Sequence, residues 1–299
     1  MKWLLSHNLL LLLWVSLMAS SFVLSADLIP YANAITSTGL RFILASLFMA
    51  PILIMSYRCG TYRVMANKKV YFHYGLISLF LILFFVGLFE ALKTTTAIRT
   101  SVIYTLVPLI TIGLTFLLLK TRTSKTRLLG FIIGTVGAIL VLLASNQGGI
   151  DLFHWYAGDW IFILACFSLS VHVVLVKKWG GGVPAMQGSF YIMTLGSLML
   201  LPLMALYGEL EQVIWQAHEF WTILLYLTVF TTMATFFLQQ YLVQSVGPNQ
   251  LLAFTYLIPI LVVISQGWTA ILDLVNSASG IFLTLLALYM ISKEQKAIT

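Results

Sequence analysis

Charge is what this sequence has least of. Only 8% of its 299 residues are Asp, Glu, Lys or Arg, while 61% are hydrophobic and the mean hydropathy is +1.01. An ordinary soluble domain carries about a quarter charged residues, so the shortage excludes that class. Cysteine is scarce too: Cys59 falls in a basic loop and Cys166 inside an apolar run, a placement that suits neither a disulfide pair nor a metal site. Motifs are lacking as well. No G-x-x-x-x-G-K-[ST] loop is present, and the "GGG" at 180–182 has no Lys-Ser/Thr after it, so ATP is not expected to drive the protein directly. No H-E-x-x-H or G-x-S-x-G occurs and the five histidines are scattered, so an enzyme is a poor second and no cofactor or metal is expected.

What is present is apolar runs of membrane length. Runs of about 18–25 residues can cross a hydrocarbon core of about 30 Å as helices, and weak period-2 alternation argues against a barrel. The sequence reads as ten spans, roughly 5–25, 34–56, 70–91, 95–119, 127–144, 158–177, 187–207, 220–241, 247–270 and 276–292. The charges agree with that number. With the N-terminus cytoplasmic, 13 of the 16 Lys and Arg residues fall on the inside, among them Arg58, Lys68, Lys69, Lys120, Lys125 and Lys177, and only Lys93 falls outside. Asp27, Asp151, Asp159, Glu209, Glu211, Glu219 and Asp273 lie outside or at the outer edge. Lys/Arg asymmetry sets orientation, so both termini are expected in the cytoplasm. The net charge of +7 is explained by this placement, and no nucleic-acid partner is implied. "MKWLLSHNLLLLLWVSLMASSF" has the look of a signal peptide, but the repeat described next needs it as a retained first span.

The chain repeats itself at an offset of about 150 residues. "YTLVPLITIGLTFLLL" answers "TYLIPILVVISQGW", with Pro108 against Pro259. "ASLFMAP" answers "GSLMLLP", with Ser46 and Pro51 against Ser197 and Pro202. The halves are 1–146 and 147–299, each with five spans. Five is odd, so the second copy enters the membrane from the other side. Inverted repeats are the architecture of secondary transporters, with the site near the midplane between copies. Pro108 and Pro259 each break a span near its middle, at the carbonyls of Tyr104 and Thr255. Freed backbone is tolerated in a membrane where it faces protein or a watery cavity.

These segments resemble the EamA-type family of the drug/metabolite transporter superfamily. "LIPYANAITSTGLRFILASL" is similar to its second helix, "FEALKTTTAIRTSVIYTLVPL" with "LLGFIIGTVGAILVLL" to the end of its first repeat, and "YLVQSVGPNQLLAFTYLIPIL" to the second-copy equivalent. The resemblance covers nearly the whole chain. It implies an all-α polytopic bundle of ten transmembrane helices in two inverted five-helix repeats. It also implies proton-linked or facilitative movement of small metabolites, often amino acids, in the direction of export. A Gly-Glu pair common after the family's fourth span is replaced here by "LLLKTRTSKT", so any role of that glutamate does not carry over.

Ionisable groups inside a membrane are presumptively functional. Arg41 lies about seven residues into the second span, or about 10 Å at 1.5 Å per residue. Two readings of it stand: bonds to backbone carbonyls or Glu90, or bidentate donors to a substrate carboxylate or phosphate. Glu90 and Arg99 flank the outer turn between spans three and four and are expected to pair as an outer-rim staple. Thr228, Thr232, Thr235 and Gln239 form one polar stripe on span eight. Substrate contacts are expected from Arg41, Ser37, Tyr104, His172, Tyr191, Thr235, Gln239 and Tyr256, near the breaks at Pro108 and Pro259. Proton coupling would rest on Glu90 and His172. Gly130 and Gly134 read as a close helix contact.

The functional expectation is a secondary transporter in a bacterial inner membrane, exporting a small organic solute by alternating access, as a monomer or homodimer. A lipid-linked flippase of the same fold and a non-transporting scaffold are the alternatives. The charge asymmetry gives a direct check. Green fluorescent protein fused after Thr299 should fluoresce in bacterial cells, and alkaline phosphatase fused after Gly149 should be active; the opposite pair of results would reverse the orientation.

Overall fold

Helix accounts for nearly all of the computed structural model, which describes residues 2–58, 67–121, 123–144, 155–180, 182–246, 248–265, 267 and 277–298. The junction at 146–147, Cys59, Arg63, Asp151, Gly181 and Asp273 lie outside the described residues, as do the side chains of Gln240 and Gln244. The elements are α1 (Lys2–Leu28), α2 (Ala34–Arg58), α3 (Lys68–Leu92), α4 (Ala97–Tyr104), α5 (Val107–Leu119), α6 (Lys125–Ala144), α7 (Ala157–Trp179) and α8 (Ala185–Tyr207). They continue with α9 (His218–Thr228), a π-helical segment (Val229–Ala234), α10 (Thr235–Ser245), α11 (Pro248–Phe254), a 3-10 turn (Thr255–Leu257), α12 (Ile258–Ser265) and α13 (Ala278–Ile298). Eight helical stretches are long and apolar enough to cross a membrane, and two shorter apolar ones, Gln250–Ser265 and Ala278–Lys293, complete the set of ten. The protein is thus an all-α membrane bundle of two five-helix repeats.

Local chemistry starts and stops these helices. Asn67 caps α3 by accepting from the Lys69 N–H at 2.9 Å, and Thr96 caps α4 by accepting from the Arg99 N–H at 3.3 Å. Such caps satisfy N–H groups that the helix leaves unpaired. Lys120 ends α5 in the left-handed conformation, with φ 57°. The fourth and ninth spans are each interrupted: α4 gives way to α5 beside Pro108, and α11 passes through the 3-10 turn into α12 beside Pro259. At both interruptions a threonine hydroxyl takes up a local carbonyl, Thr105 on Val102 and Thr255 on Leu252, both at 2.6 Å.

The halves pack on each other helix for helix, α2 along α8, α3 along α7 and α6 along α13. Residue-level contacts follow the repeat. Near the start of α2, the Thr36 hydroxyl donates to the Gly208 carbonyl; near the start of α8, the Gln187 amide donates to the Tyr57 hydroxyl at 3.0 Å. Adding the repeat offset of about 150 residues turns Thr36 into Gln187 and Tyr57 into Gly208, so the two bonds are one bond seen twice. They hold opposite ends of the α2–α8 pair, and Ser46 bonds Thr194 at 2.7 Å between them. That is the contact pattern of copies inserted in opposite directions. Leu47, Leu117, Leu164, Leu206 and Phe282 are exposed on the bundle's outside, where lipid is the matching solvent.

The α6–α13 seam depends on missing side chains. A Cβ on Gly137 would meet the Gly280 carbonyl oxygen at 2.8 Å, and one on Gly280 would meet the Gly137 oxygen at 2.7 Å. Small residues let membrane helices approach closely. Of the predicted pair, Gly130 faces Ile291 of α13, whereas Gly134 lies against the Tyr256 ring. Gly137→Leu should therefore lower the thermal midpoint of the detergent-purified protein, at an overpacking cost of about 1–3 kcal/mol. Gly113→Ala, whose added Cβ meets nothing within 4 Å, should leave the midpoint unchanged or raise it.

Candidate functional site

Midway along the spans, α1, α3, α4, α7 and the eighth span enclose a cavity of about 30 Å³, room for one or two waters. Phe22, Phe84, Phe85 and Phe236 give it an aromatic lining, Tyr104, His172, Thr231, Thr235 and Gln239 contribute polar groups, and Ser21 joins them from α1. The rings interlock. Phe22 meets Tyr104 edge-on at 5.3 Å, and Phe42 meets Phe85 edge-on at 5.8 Å. His172 is held in place by its Nδ1, 2.9 Å from the Ile77 carbonyl; a carbonyl only accepts, so that nitrogen is the donor.

Behind Ser21, Thr231 and Phe85 sits Arg41, fully buried. Its Nε donates to the Thr232 hydroxyl, and its Nη2 donates to the Thr231 hydroxyl at 2.7 Å, the Thr231 carbonyl at 3.2 Å and the Ser21 hydroxyl at 3.4 Å. The guanidinium carbon lies 4.4 Å from the centre of the Phe85 ring, in cation–π range. The eighth span makes this possible by winding as a π-helix over Val229–Ala234. In that wide turn, adjacent Thr231 and Thr232 both present hydroxyls to Arg41, and both also bond the Leu227 carbonyl at 2.9 Å. π-turns are rare and gather at functional sites.

The predicted site residues divide into those the structure brings together and those it does not. Tyr104, His172, Thr235 and Gln239 share the cavity wall. Arg41 stands one layer behind it, bonded to hydroxyls and a carbonyl, not to Glu90. Ser37 is fully buried near the start of α2, with its hydroxyl turned to the Ala32 carbonyl at 3.4 Å. Tyr191 belongs to the opposite end of the bundle, where its hydroxyl accepts from Gln187 at 2.8 Å and its ring lies 5.6 Å from those of Tyr71 and Tyr74. Tyr256 is fully buried towards α6, donating to the Phe131 carbonyl at 2.7 Å. Ser37, Tyr191 and Tyr256 thus do not reach the cavity, because their helix faces are turned into neighbouring seams. Ser21, Thr231 and the phenylalanines were missed. Thr231 could have been found only as the neighbour of Thr232, since nothing in "VFTTMA" announces a π-turn.

The expected Glu90–Arg99 staple is also corrected. Glu90 pairs with Lys93 at 2.8 Å on the surface, while Arg99 turns inward onto Asp159, donating from Nε at 3.2 Å and again from Nη2. Both Asp159 and Arg99 are buried. Asp159 is fixed further by the Thr95 hydroxyl at 2.6 Å and the Tyr156 N–H at 3.1 Å, at the positive N-terminus of α7. Sequence proximity favoured Glu90, but tertiary packing of α4 on α7 brings up a better-prepared carboxylate. Removing one partner of a buried pair costs about 3–5 kcal/mol, whereas an exposed pair is worth about 0–1. Asp159→Asn should therefore lower the unfolding midpoint clearly, Glu90→Gln hardly at all. The Arg99→Met/Asp159→Leu double variant should recover most of the loss; equal effects of Asp159→Asn and Glu90→Gln would refute the assignment.

Comparison with known proteins gives this geometry a context. The chain is similar to two proteins of Bacillus subtilis (strain 168). It is 23% identical to "Uncharacterized transporter YyaM" over 247 residues, covering 82% of this chain and 80% of that one, and 24% identical to "Uncharacterized transporter YetK" over 266 residues, covering 85% and 76%. A solved crystal structure, only 16% identical, shares the fold with a TM-score of 0.71 over 98% of both chains. The family model described as "EamA-like transporter family" matches twice, over residues 5–143 and 156–293. The two matches coincide with the two bundles whose contacts repeat, and the chain belongs to the EamA-like transporter family.

Proposed function

We propose that the protein carries a small organic solute across a bacterial inner membrane by alternating access, the halves 1–146 and 147–299 rocking about the central cavity. The carrying observation is that cavity: polar groups from both halves converge on it midway along the spans. Its present volume of about 30 Å³ holds one or two waters, so the halves must part to admit a solute. On the orientation that the charge asymmetry favours, the Arg99–Asp159 pair faces outward and ties α4 of the first half to α7 of the second. Applying the repeat offset of about 150 residues to Arg99 and Asp159 reaches Gln250 and Asn8 at the opposite end, neither of them charged. One gate is thus an ion pair and its counterpart is neutral, which favours a resting state shut on the outer side. Export is the direction that the family resemblance favours. Of the two groups considered for proton coupling, His172 borders the cavity and Glu90 does not.

Rocking can be tested by tying the outer gate. In a background lacking Cys59 and Cys166, cysteines replacing Thr95 and Asp159, whose side chains touch, should cross-link on oxidation. Flux of a metabolite mixture from reconstituted vesicles should then fall to the protein-free level and return on reduction. Flux indifferent to the cross-link would mean that the two halves do not part at that end.

A further inference from the structure

The guanidinium of Arg41 has hydrogen-bond acceptors but no negative charge. Its partners are Thr232, Thr231, Ser21 and the Phe85 ring, all neutral, and among the described residues no carboxylate bonds it. Nor can one easily arrive, because all nine Asp and Glu residues stand at span ends or in loops. Its hydrogen bonds are also unevenly shared. Nη2 serves three acceptors, whereas Nη1, buried from solvent, has no partner. Hydrogen bonds to a charged donor are stronger than neutral ones, and a desolvated cation–π contact adds to them, so these neighbours can keep a cation inside the bundle. They cannot cancel its field, which in a low-dielectric interior reaches the adjacent cavity. Three of the groups between Arg41 and that cavity, Ser21, Thr231 and Phe85, line the cavity themselves.

We infer that the solute carried at this site is a monocarboxylate, whose single negative charge is the missing counter-ion of Arg41. This rests on reading the cavity as the transport site. A singly charged anion makes the centre neutral; a dianion would leave one buried charge uncompensated. A carboxylate entering beside Ser21 and Thr231 would take over the Nη2 hydrogens they now share and offer its second oxygen to Nη1, the two-bond geometry that guanidinium and carboxylate favour. The aromatic lining of Phe22, Phe84 and Phe85 suits an apolar or planar body behind the carboxylate. A primary amide of the same shape would offer one acceptor oxygen, but would set an NH2 donor against the guanidinium and bring no charge.

The test uses the full-length protein purified in detergent at constant ionic strength. Thermal unfolding is followed against phenylacetate, benzoate, their primary amides, inorganic phosphate and chloride. At least one carboxylate should raise the midpoint at a concentration about tenfold lower than its amide, in line with the doubled strength of charge-assisted bonds; phosphate and chloride should not. Arg41→Gln should abolish the difference between acid and amide, and Arg41→Lys should keep it in weakened form. Equal shifts from acid and amide, no shift from any carboxylate, a chloride effect as large, or a preference that survives Arg41→Gln would each overturn the inference. If Arg41→Gln does not fold, the comparison of acid with amide on the natural protein and on Arg41→Lys still decides. Vesicle flux separates the two readings. Selective carboxylate binding without flux would sink transport and keep the anion site, whereas flux of neutral solutes unchanged by Arg41→Gln would do the reverse.

Discussion

Every polar group in this bundle must find its partner within the protein, because hydrocarbon offers none. That constraint organises the rest. It makes the chain helical nearly throughout, and it places the two interrupted spans, α4–α5 and α11–α12, inside the bundle, where Thr105 and Thr255 take up local carbonyls. It also explains why the serines and threonines of α9, the π-segment and α10 mostly turn back on their own helix. Several buried polar atoms still lack a partner among the described residues, Trp14 Nε1, Ser25 Oγ and Thr38 Oγ1 among them; Arg41 Nη1 stands apart because it belongs to a cation beside the cavity.

The closure of the two ends rests on unequal chemistry. At one end Asp159 is held by Arg99, Thr95 and a backbone N–H. At the other, the contacts among the described residues are neutral: Tyr191 accepts from Gln187 and gathers Tyr71 and Tyr74, and His73 stacks on Trp179 at 4.2 Å. Oriented charges need good geometry to hold, while ring contacts tolerate sliding. A pseudo-symmetric scaffold therefore supports two ends of different stiffness.

The architecture was legible because it follows from hydropathy and placement of charge, properties that act over whole spans. The duplication was legible because Pro51 and Pro202, or Pro108 and Pro259, survive as matched marks in both copies. The cavity was half legible. Tyr104, His172, Thr235 and Gln239 could be singled out as polar groups near the middles of spans, and they do line it. Tyr191 and Tyr256 looked alike in sequence but face other seams, since rotation of a helix about its axis is set by its neighbours and not by its own composition. Asp159 was overlooked because it sits at a span end where acids are common. Its importance comes from the fold, which brings Arg99 across from α4.

The π-turn at Val229–Ala234 has no counterpart in α3, the equivalent helix of the first repeat, which runs unbroken as α-helix. It gives the second half a wider turn beside the site that the first half lacks. Under the alternating access proposed above, a bound solute would meet different chemistry when the protein faces one compartment than when it faces the other. A carrier without an energy source must still let its cargo equilibrate, so unequal affinities on the two faces have to be balanced by unequal occupancy of the empty states. On that proposal the wider turn would set which compartment saturates the carrier first, while leaving the final distribution of cargo untouched.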